Sequence, residues 1–204
     1  MLSLSRSRRA LGALAALALP LALGACSGDE PKKKADPVAE AASHSSVEFR
    51  RVVSSTSGQK QCTSAPDAPS ADACAALKDF ACPTEPEDLD DDYLLVCGTD
   101  AYEREGFLLG KTEISRGIGS AEAGKPESAD GWVIDVVLTD DAGATLEQLT
   151  EELSGTGRQI ALVVDGRVVT TIAPYDTITD GRLRITLGDT TAAKAADLAT
   201  RLAS

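Results

Sequence analysis

The order of the periodic segments in residues 131–204 constrains the fold of this chain more than any other feature. Four short apolar or alternating stretches predict strands, at residues 132–138, 160–164, 168–172 and 183–187. Two helices are predicted by apolar residues at helical spacing: Leu146, Leu149 and Leu153, and then Ala195, Leu198 and Leu202. The resulting order, β-α-β-β-β-α, predicts an α+β fold with helices packed on one face of a mainly antiparallel sheet.

Turn and cap signals separate these segments. Asp165–Gly166 between two apolar stretches is a strong hairpin signal. Gly155 and Gly157 are expected to end the first helix. The side-chain oxygens suited to cap the helix starts are those of Thr139 or Asp140 for the first helix, and of Thr190 or Thr191 for the second.

The preceding part of the chain gives weaker signals. Residues 47–53, 93–97 and 106–109 are predicted as strands, and residues 71–80 as a short helix. Residues 54–70 are expected to form a loop, as is the acidic stretch 84–92. Residues 46–204 have the length of one domain, so a single folded domain is predicted.

The N-terminus has the pattern of a lipoprotein export signal. Arginines precede an apolar run, and the small residues after it lead to Cys26 in the sequence Leu-Gly-Ala-Cys. This pattern resembles the bacterial lipobox, in which the cysteine receives a lipid and becomes the new N-terminus. We therefore expect residues 1–25 to be a signal peptide, Cys26 to be lipidated and residues 26–45 to be a flexible tether. An uncleaved anchor and ordinary cleavage stay open as alternatives, and so does the export route.

The other four cysteines are Cys62, Cys74, Cys82 and Cys97. Export to an oxidising compartment predicts two disulfides among them. A zinc site is not expected, because no Cys-x-x-Cys pair occurs and the single histidine, His44, lies in the tether. All three connectivities remain open. We favour Cys62–Cys97 with Cys74–Cys82, which requires the helix to end before Cys82.

The charge of the chain excludes some partners. It carries 20 Lys and Arg against 32 Asp and Glu, a formal net charge of −12. Nucleic acid and anionic membrane surfaces repel such a protein. The excess of acidic residues is expected to keep the protein soluble and to favour cationic segments of a partner. Lys32 to Lys34 follow the expected lipid and could touch anionic headgroups, although a solvated tether is an equal alternative.

No residues form a catalytic or metal-binding pattern. Asp88, Asp90, Asp91 and Asp92 lack the spacing of a calcium loop, so a solvated loop is favoured. Residues 154–158 follow a helix where a phosphate loop would precede one, so a helix-terminating turn is favoured. Trp132 and Tyr175 are the aromatic residues that could stack on a ligand. Trp132 lies in an alternating strand and is expected in the core instead, whereas for Tyr175, beside Pro174, both interpretations stay open. We predict that the protein is not an enzyme and uses no cofactor or metal.

Several segments together resemble the first extracytoplasmic (P1) domain of SecD, in particular its head subdomain in actinobacterial members. The matching stretches are Val47–Arg50, Cys97 with Phe107–Gly110 and Ile118, Trp132–Val136 with Leu149–Thr150, Ile160–Val169 with Pro174, Ile178 and Gly181, and the closing Thr191, Ala195, Leu198, Ala199 and Leu202. Arg51 stands where that family has proline, and the closing helix lacks the family's phenylalanine.

This resemblance implies a fold and a peptide-facing surface. SecD has six membrane spans with residues for proton coupling and acts with SecF, and the matching segments carry none of these features. The resemblance therefore implies no motor. It indicates a membrane-anchored module on the outer face of the cytoplasmic membrane that binds exported or unfolded polypeptide, near a Sec-type complex. The alternative is a structural or regulatory partner of a membrane complex with no client of its own.

Overall fold

A computed structural model describes residues 45–58, 62, 69–89, 93–99, 102, 104–127 and 130–204. Cys26, Lys32 to Lys34, His44 and Asp90 to Asp92 lie outside the described residues. Within them the elements are β1 (Val47–Ser55), α1 (Ala71–Asp79), β2 (Glu87–Leu89), β3 (Tyr93–Cys97), β4 (Gly106–Ser115), β5 (Ile118–Gly124), β6 (Trp132–Leu138), α2 (Asp140–Leu153), β7 (Gln159–Val164), β8 (Arg167–Ile172), β9 (Arg182–Gly188) and α3 (Ala192–Leu202).

The strands form two sheets. A six-stranded sheet has the order β2-β3-β4-β1-β7-β8, and a three-stranded sheet has the order β5-β6-β9. All neighbouring strands in both sheets pair antiparallel. The α+β prediction is therefore confirmed, with the strands divided between two sheets.

The six-stranded sheet curls until the end of β3 meets the edge strand β8. Gly98, just after β3, forms a parallel bridge with Val168 of the edge strand β8. The backbone N–H of Thr99 donates to the carbonyl oxygen of Val168 at 2.9 Å. β3, β4, β1, β7 and β8 thus enclose a small barrel-like interior. Its buried side chains are Leu94, Val96, Phe107, Leu109, Ala161, Val163 and Val168.

The main core lies on the outer side of this curled sheet. It joins residues of β1 and β7 to α2, α3 and the inner face of the three-stranded sheet. The predicted helix faces are buried: Leu146 and Leu153 are fully buried in this core and Leu202 is nearly so, and Ala195 is fully buried as well. The side chains alternate because strand residues point to opposite faces of a sheet, so β7 supplies Ile160 and Leu162 to this core while Ala161 faces the barrel interior.

α1 covers the other part of the sheet with a third, smaller core. Leu77 of α1 packs against Leu95 and Leu108, both almost completely buried. Two disulfides staple this region, as predicted, but they join Cys62 to Cys74 and Cys82 to Cys97. The favoured pairing, Cys62–Cys97 with Cys74–Cys82, is therefore wrong. α1 does end before Cys82, yet the chain then turns toward the end of β3 and brings Cys82 to Cys97.

The side chain of Arg51 links β1 to β4 and α2. The Arg51 guanidinium donates to Glu113 of β4 at 2.8 Å and forms two bonds with Glu152 of α2, at 2.6 and 2.7 Å. The hydrogen bond to Glu152 is the main cause that raises the pKa of Arg51, and the same bond lowers the pKa of Glu152. The residue that replaces the family's proline thus links two strands and a helix.

Four local expectations need correction. Residues 118–124 form β5, which the sequence did not reveal, and part of the expected acidic loop forms the short β2. Thr139 occupies the N-cap position of α2 but makes no side-chain cap bond, whereas Thr191 caps α3 by accepting from the Lys194 N–H. Trp132 is half-buried and lies outside the main core, at the start of β6 where the pairing with β9 shifts register.

Candidate functional site

A groove of about 630 Å³ lies between β8 and α3, at the open edge of the curled sheet. Its apolar lining comes from Val169 of β8, Leu187 of β9 and Leu198 of α3. Its charged lining includes Arg167, Lys194 and Arg201. The groove therefore combines an apolar floor with charged side chains at its walls.

The β7–β8 turn that forms one end of the groove is held from two sides. Asp165 and Gly166 have φ values of 51° and 71°, in the left-handed region expected for this hairpin. Glycine is required at 166 because an added Cβ would lie 2.6 Å from the Pro86 ring. The Asp165 carboxylate accepts from the Ser46 N–H at 3.1 Å and from Arg201 at 3.0 Å. The start of β1 and the end of α3 thus fix the turn.

The edge of β8 is only partly covered. Thr99 bonds to the Val168 carbonyl oxygen through its N–H, at 2.9 Å, and through its hydroxyl, at 3.3 Å. Beyond Val168, and among the described residues, β8 pairs only with β7. A register shift makes Val169 the extra residue of a bulge, and such bulges re-aim side chains at sheet edges. The open part of the edge therefore starts where the apolar lining of the groove starts.

The acidic side chains of the groove are paired. Arg201 contacts both Asp165, at 3.0 Å, and Asp197, at 3.1 Å. Arg167 has no ion pair or hydrogen bond of its side chain with any residue in the described ranges. The groove thus carries three cationic side chains and two acidic ones, both of which share one arginine.

A second surface lies on the outer face of the three-stranded sheet. A depression of about 640 Å³ is lined there by Glu122, Asp135, Val137, Arg182 and Arg184, among others. Arg184 forms a bidentate pair with Asp135, at 2.7 and 3.1 Å, and this bond lowers the pKa of Asp135. Because polar and charged side chains make up most of its lining, this surface offers less for an apolar ligand than the β8 groove does.

The described residues that the sequence analysis weighed for disulfide, metal, phosphate or ligand binding do not line the groove. The four cysteines are disulfide-bonded near α1 and β3. Tyr175 is 88% exposed, on a loop whose backbone is bonded to Ser154 and Gly155 after α2. Gly155 and Gly157 have positive φ at the end of α2, as a helix-terminating turn requires. In the described ranges, potential metal-binding side chains do not form a group of three or more.

Arg167, Lys194 and Arg201 were missed as site residues. They are far apart in the sequence and belong to no motif. Two features of the sequence could have pointed to these residues: the carboxylate of Asp165 in the hairpin and the i, i+4 spacing of Asp197 and Arg201. Both features are typical of ordinary solvent-exposed charges and do not indicate a site.

These features define a two-sheet α+β domain with an accessible strand edge beside a groove. The sequence model of the SecDF P1 head subdomain matches residues 99–204, more than half of the chain. The chain therefore belongs to the SecDF P1 head family and is related to protein export machinery. The predicted resemblance to the SecD P1 head is confirmed.

Solved SecDF structures are similar to the chain over 78% of its length. The super-membrane-facing form of SecDF gives 18% identity, a TM-score of 0.48 and coverage of 19% of that chain. A second structure, of SecDF as a membrane component that enhances protein export, gives 18% identity, a TM-score of 0.48 and coverage of 62% of that chain. SecDF from Thermus thermophilus, a translocon-associated membrane protein, gives 22% identity, a TM-score of 0.40 and coverage of 19% of that chain. This chain thus spans less than two thirds of each of them.

No curated protein sequence matches the chain. None of the helices in the described part is long and apolar enough to cross a membrane.

Proposed function

We propose that this protein is a lipid-anchored, non-enzymatic module that binds exported or unfolded polypeptide at the outer face of the cytoplasmic membrane. The observation that carries the proposal is the open edge of β8 next to the apolar groove. Cys26 is the proposed lipidation site, and residues 26–45 are the tether that joins it to the domain. Membership of the SecDF P1 head family supports a place near a Sec-type membrane complex.

The physics of strand addition fits this site. An extended polypeptide can pair its backbone with an exposed sheet edge, and pockets beside that edge then hold alternate side chains. Here the edge supplies the unpaired backbone groups, and Val169, Leu187 and Leu198 supply an apolar surface beside them. Backbone pairing is largely independent of sequence, so the site suits a ligand that is defined by being unfolded.

The groups that line the groove do not suggest a reaction. Its charged residues are arginine, lysine and two aspartates held by Arg201, and no nucleophile stands beside a base among them. Binding without chemistry is therefore the function that the groove supports best.

The test is the binding of a reduced, alkylated and fluorescently labelled unfolded protein to the full chain in lipid vesicles. We expect saturable binding that Val169→Glu weakens strongly, because the new carboxylate would enter the apolar floor of the groove. Val137→Glu is the matched control, since Val137 is also a half-buried strand valine but lines the other surface. Unfolding midpoints of both variants separate lost folding from lost binding.

Binding that is absent, or equally affected by both variants, would contradict the proposed site. Crosslinking in native membranes distinguishes the alternative role. Transient exported chains crosslinked to the groove support client binding, whereas one stoichiometric partner and no exported chains would indicate a structural or regulatory subunit.

A further inference from the structure

Tyr175 is the one large hydrophobic side chain of the described residues that is exposed, with 88% of the residue in solvent. It lies in the loop between β8 and β9, outside the β8 groove, and the function proposed above does not use it. The residue before it, Pro174, is buried. The chain is thus anchored in the protein directly before the ring and presents the ring to solvent.

Hydrogen bonds to the end of α2 hold this loop on both sides of Tyr175. The Tyr175 carbonyl oxygen accepts from the Ser154 hydroxyl at 2.5 Å, and the carbonyl oxygen of the preceding residue accepts from the Gly155 N–H at 3.3 Å. After the ring, the Ile178 N–H donates to the hydroxyl oxygen of Thr150 at 3.0 Å, and Thr150 is fully buried. Because the backbone is already fixed, a ligand that covers the ring loses little free energy in ordering the loop.

The surface beside this loop carries acidic side chains. α2 contains five Asp and Glu residues and no Lys or Arg. Arg51 and Arg158 both act on Glu152 and lower its pKa. Within the described ranges, by contrast, the exposed carboxylates of Glu151 and Asp176 have no ion pair or side-chain hydrogen bond. Glu151 lies in the last turn of α2, which the loop contacts, and Asp176 directly follows the aromatic residue, so both are available to a ligand that covers the ring.

A cation suits an exposed aromatic ring that has unpaired carboxylates beside it. The face of the ring attracts positive charge, and a planar arginine guanidinium stacks on it while its N–H groups point outward, where a carboxylate can accept them. We propose that Tyr175 anchors a second binding surface, which takes arginine side chains of a polypeptide, with Asp176 and Glu151 as the acceptors. None of these three residues lines the β8 groove, so the proposal does not depend on client binding there. The preference for cationic segments that the total charge predicts thereby acquires a definite location.

The experiment uses the full chain in neutral phosphatidylcholine vesicles and three labelled glycine–serine peptides, which carry arginine, lysine or glutamine at the same positions. We expect the arginine peptide to bind most tightly and the glutamine peptide most weakly. Because the acidic chain attracts any cation, the decisive comparison is between variants of the protein. Tyr175→Ala should weaken binding of the arginine peptide about two- to fivefold, as a cation–π contact at an exposed site allows, and Tyr175→Phe should keep it because the ring face remains.

Asp176→Asn should weaken binding of the arginine peptide about twofold, as the loss of one exposed ion pair allows. Glu122→Gln is the matched control, because Glu122 is also an exposed carboxylate but lines the outer face of the three-stranded sheet. The proposal is overturned if the arginine peptide does not bind, if Tyr175→Ala leaves its affinity unchanged, or if Asp176→Asn and Glu122→Gln weaken it equally. An equal loss for the glutamine peptide in Tyr175→Ala would also overturn it, since the ring would then be an apolar contact and not a cation site. The ring is exposed, so we expect Tyr175→Ala to keep the unfolding midpoint of the unaltered protein.

Discussion

Gly98→Ala tests whether the curled sheet closes as described. A Cβ at Gly98 would lie 2.1 Å from the Cβ of Tyr102 and 2.6 Å from the Tyr102 carbonyl oxygen. The turn that holds Tyr102 is itself bonded, since its N–H donates to Thr99 and its carbonyl accepts from Glu105. Because one overlap is with the backbone, a rotamer change cannot relieve it. The closing bridge between Gly98 and Val168 must shift instead.

Overpacking of this kind costs about 1–3 kcal/mol. For a domain of this size, such a loss lowers the unfolding midpoint by about 2–4 °C per kcal/mol. Thermal and urea unfolding followed by circular dichroism would measure it. Gly124→Ala is the control, since an added Cβ there has nothing within 4 Å, and we expect it to change stability by less than about 1 kcal/mol. Equal midpoints for the two variants would refute the closure of the sheet at Gly98.

Three further predictions concern other parts of the chain. Replacing Cys82 and Cys97 together by alanine should lower the free energy of unfolding by about 3 kcal/mol, because the disulfide closes a loop with a sequence separation of 15 residues. A non-reducing digest of the unaltered protein should contain a peptide in which Cys82 is linked to Cys97, and a peptide with any other pairing would contradict this. Glu152→Gln should lower the free energy of unfolding by up to about 1 kcal/mol above pH 5 and by little below pH 3, because the Arg51 bond lowers the Glu152 pKa and so stabilises the fold only while the carboxyl is ionised. Urea midpoints measured against pH would contradict this if the difference between the variant and the unaltered protein did not change with pH. Cys26→Ala should abolish the incorporation of radiolabelled palmitate into the protein, and unchanged labelling of the variant would contradict lipidation at Cys26.

The C-terminal half could be predicted well because its strands and helices carry their own signals. β6 has the predicted bounds, and the other C-terminal strands and α3 lie within a residue or two of them. β5 was missed because Ile-Gly-Ser-Ala-Glu-Ala-Gly has almost no residues that favour strands. Its pairing with β6 and its packing against the main core make it a strand, and neither contact is visible in a local pattern.

The disulfides and the groove depend on long-range geometry. Loop spacing favoured no pairing strongly, and Cys82 meets Cys97 only because the chain after α1 returns to the end of β3. The groove arises where the curled sheet, β9 and α3 come together, so Arg167 and Arg201 share a site that no spacing rule links.

The central position of β1 sets the order in which the chain can fold. β1 pairs with β4 on one side and with β7 on the other, where Val47 lies opposite Val164. A chain that emerges from its N-terminus can form the first pair early but must wait for β7 to form the second. Until then Phe49, which is almost fully buried in the finished domain, stands beside an open strand edge. Contacts of such long sequence separation slow folding, so a chain halted before residue 159 would itself present the kind of exposed apolar strand that aggregates or recruits a holding partner.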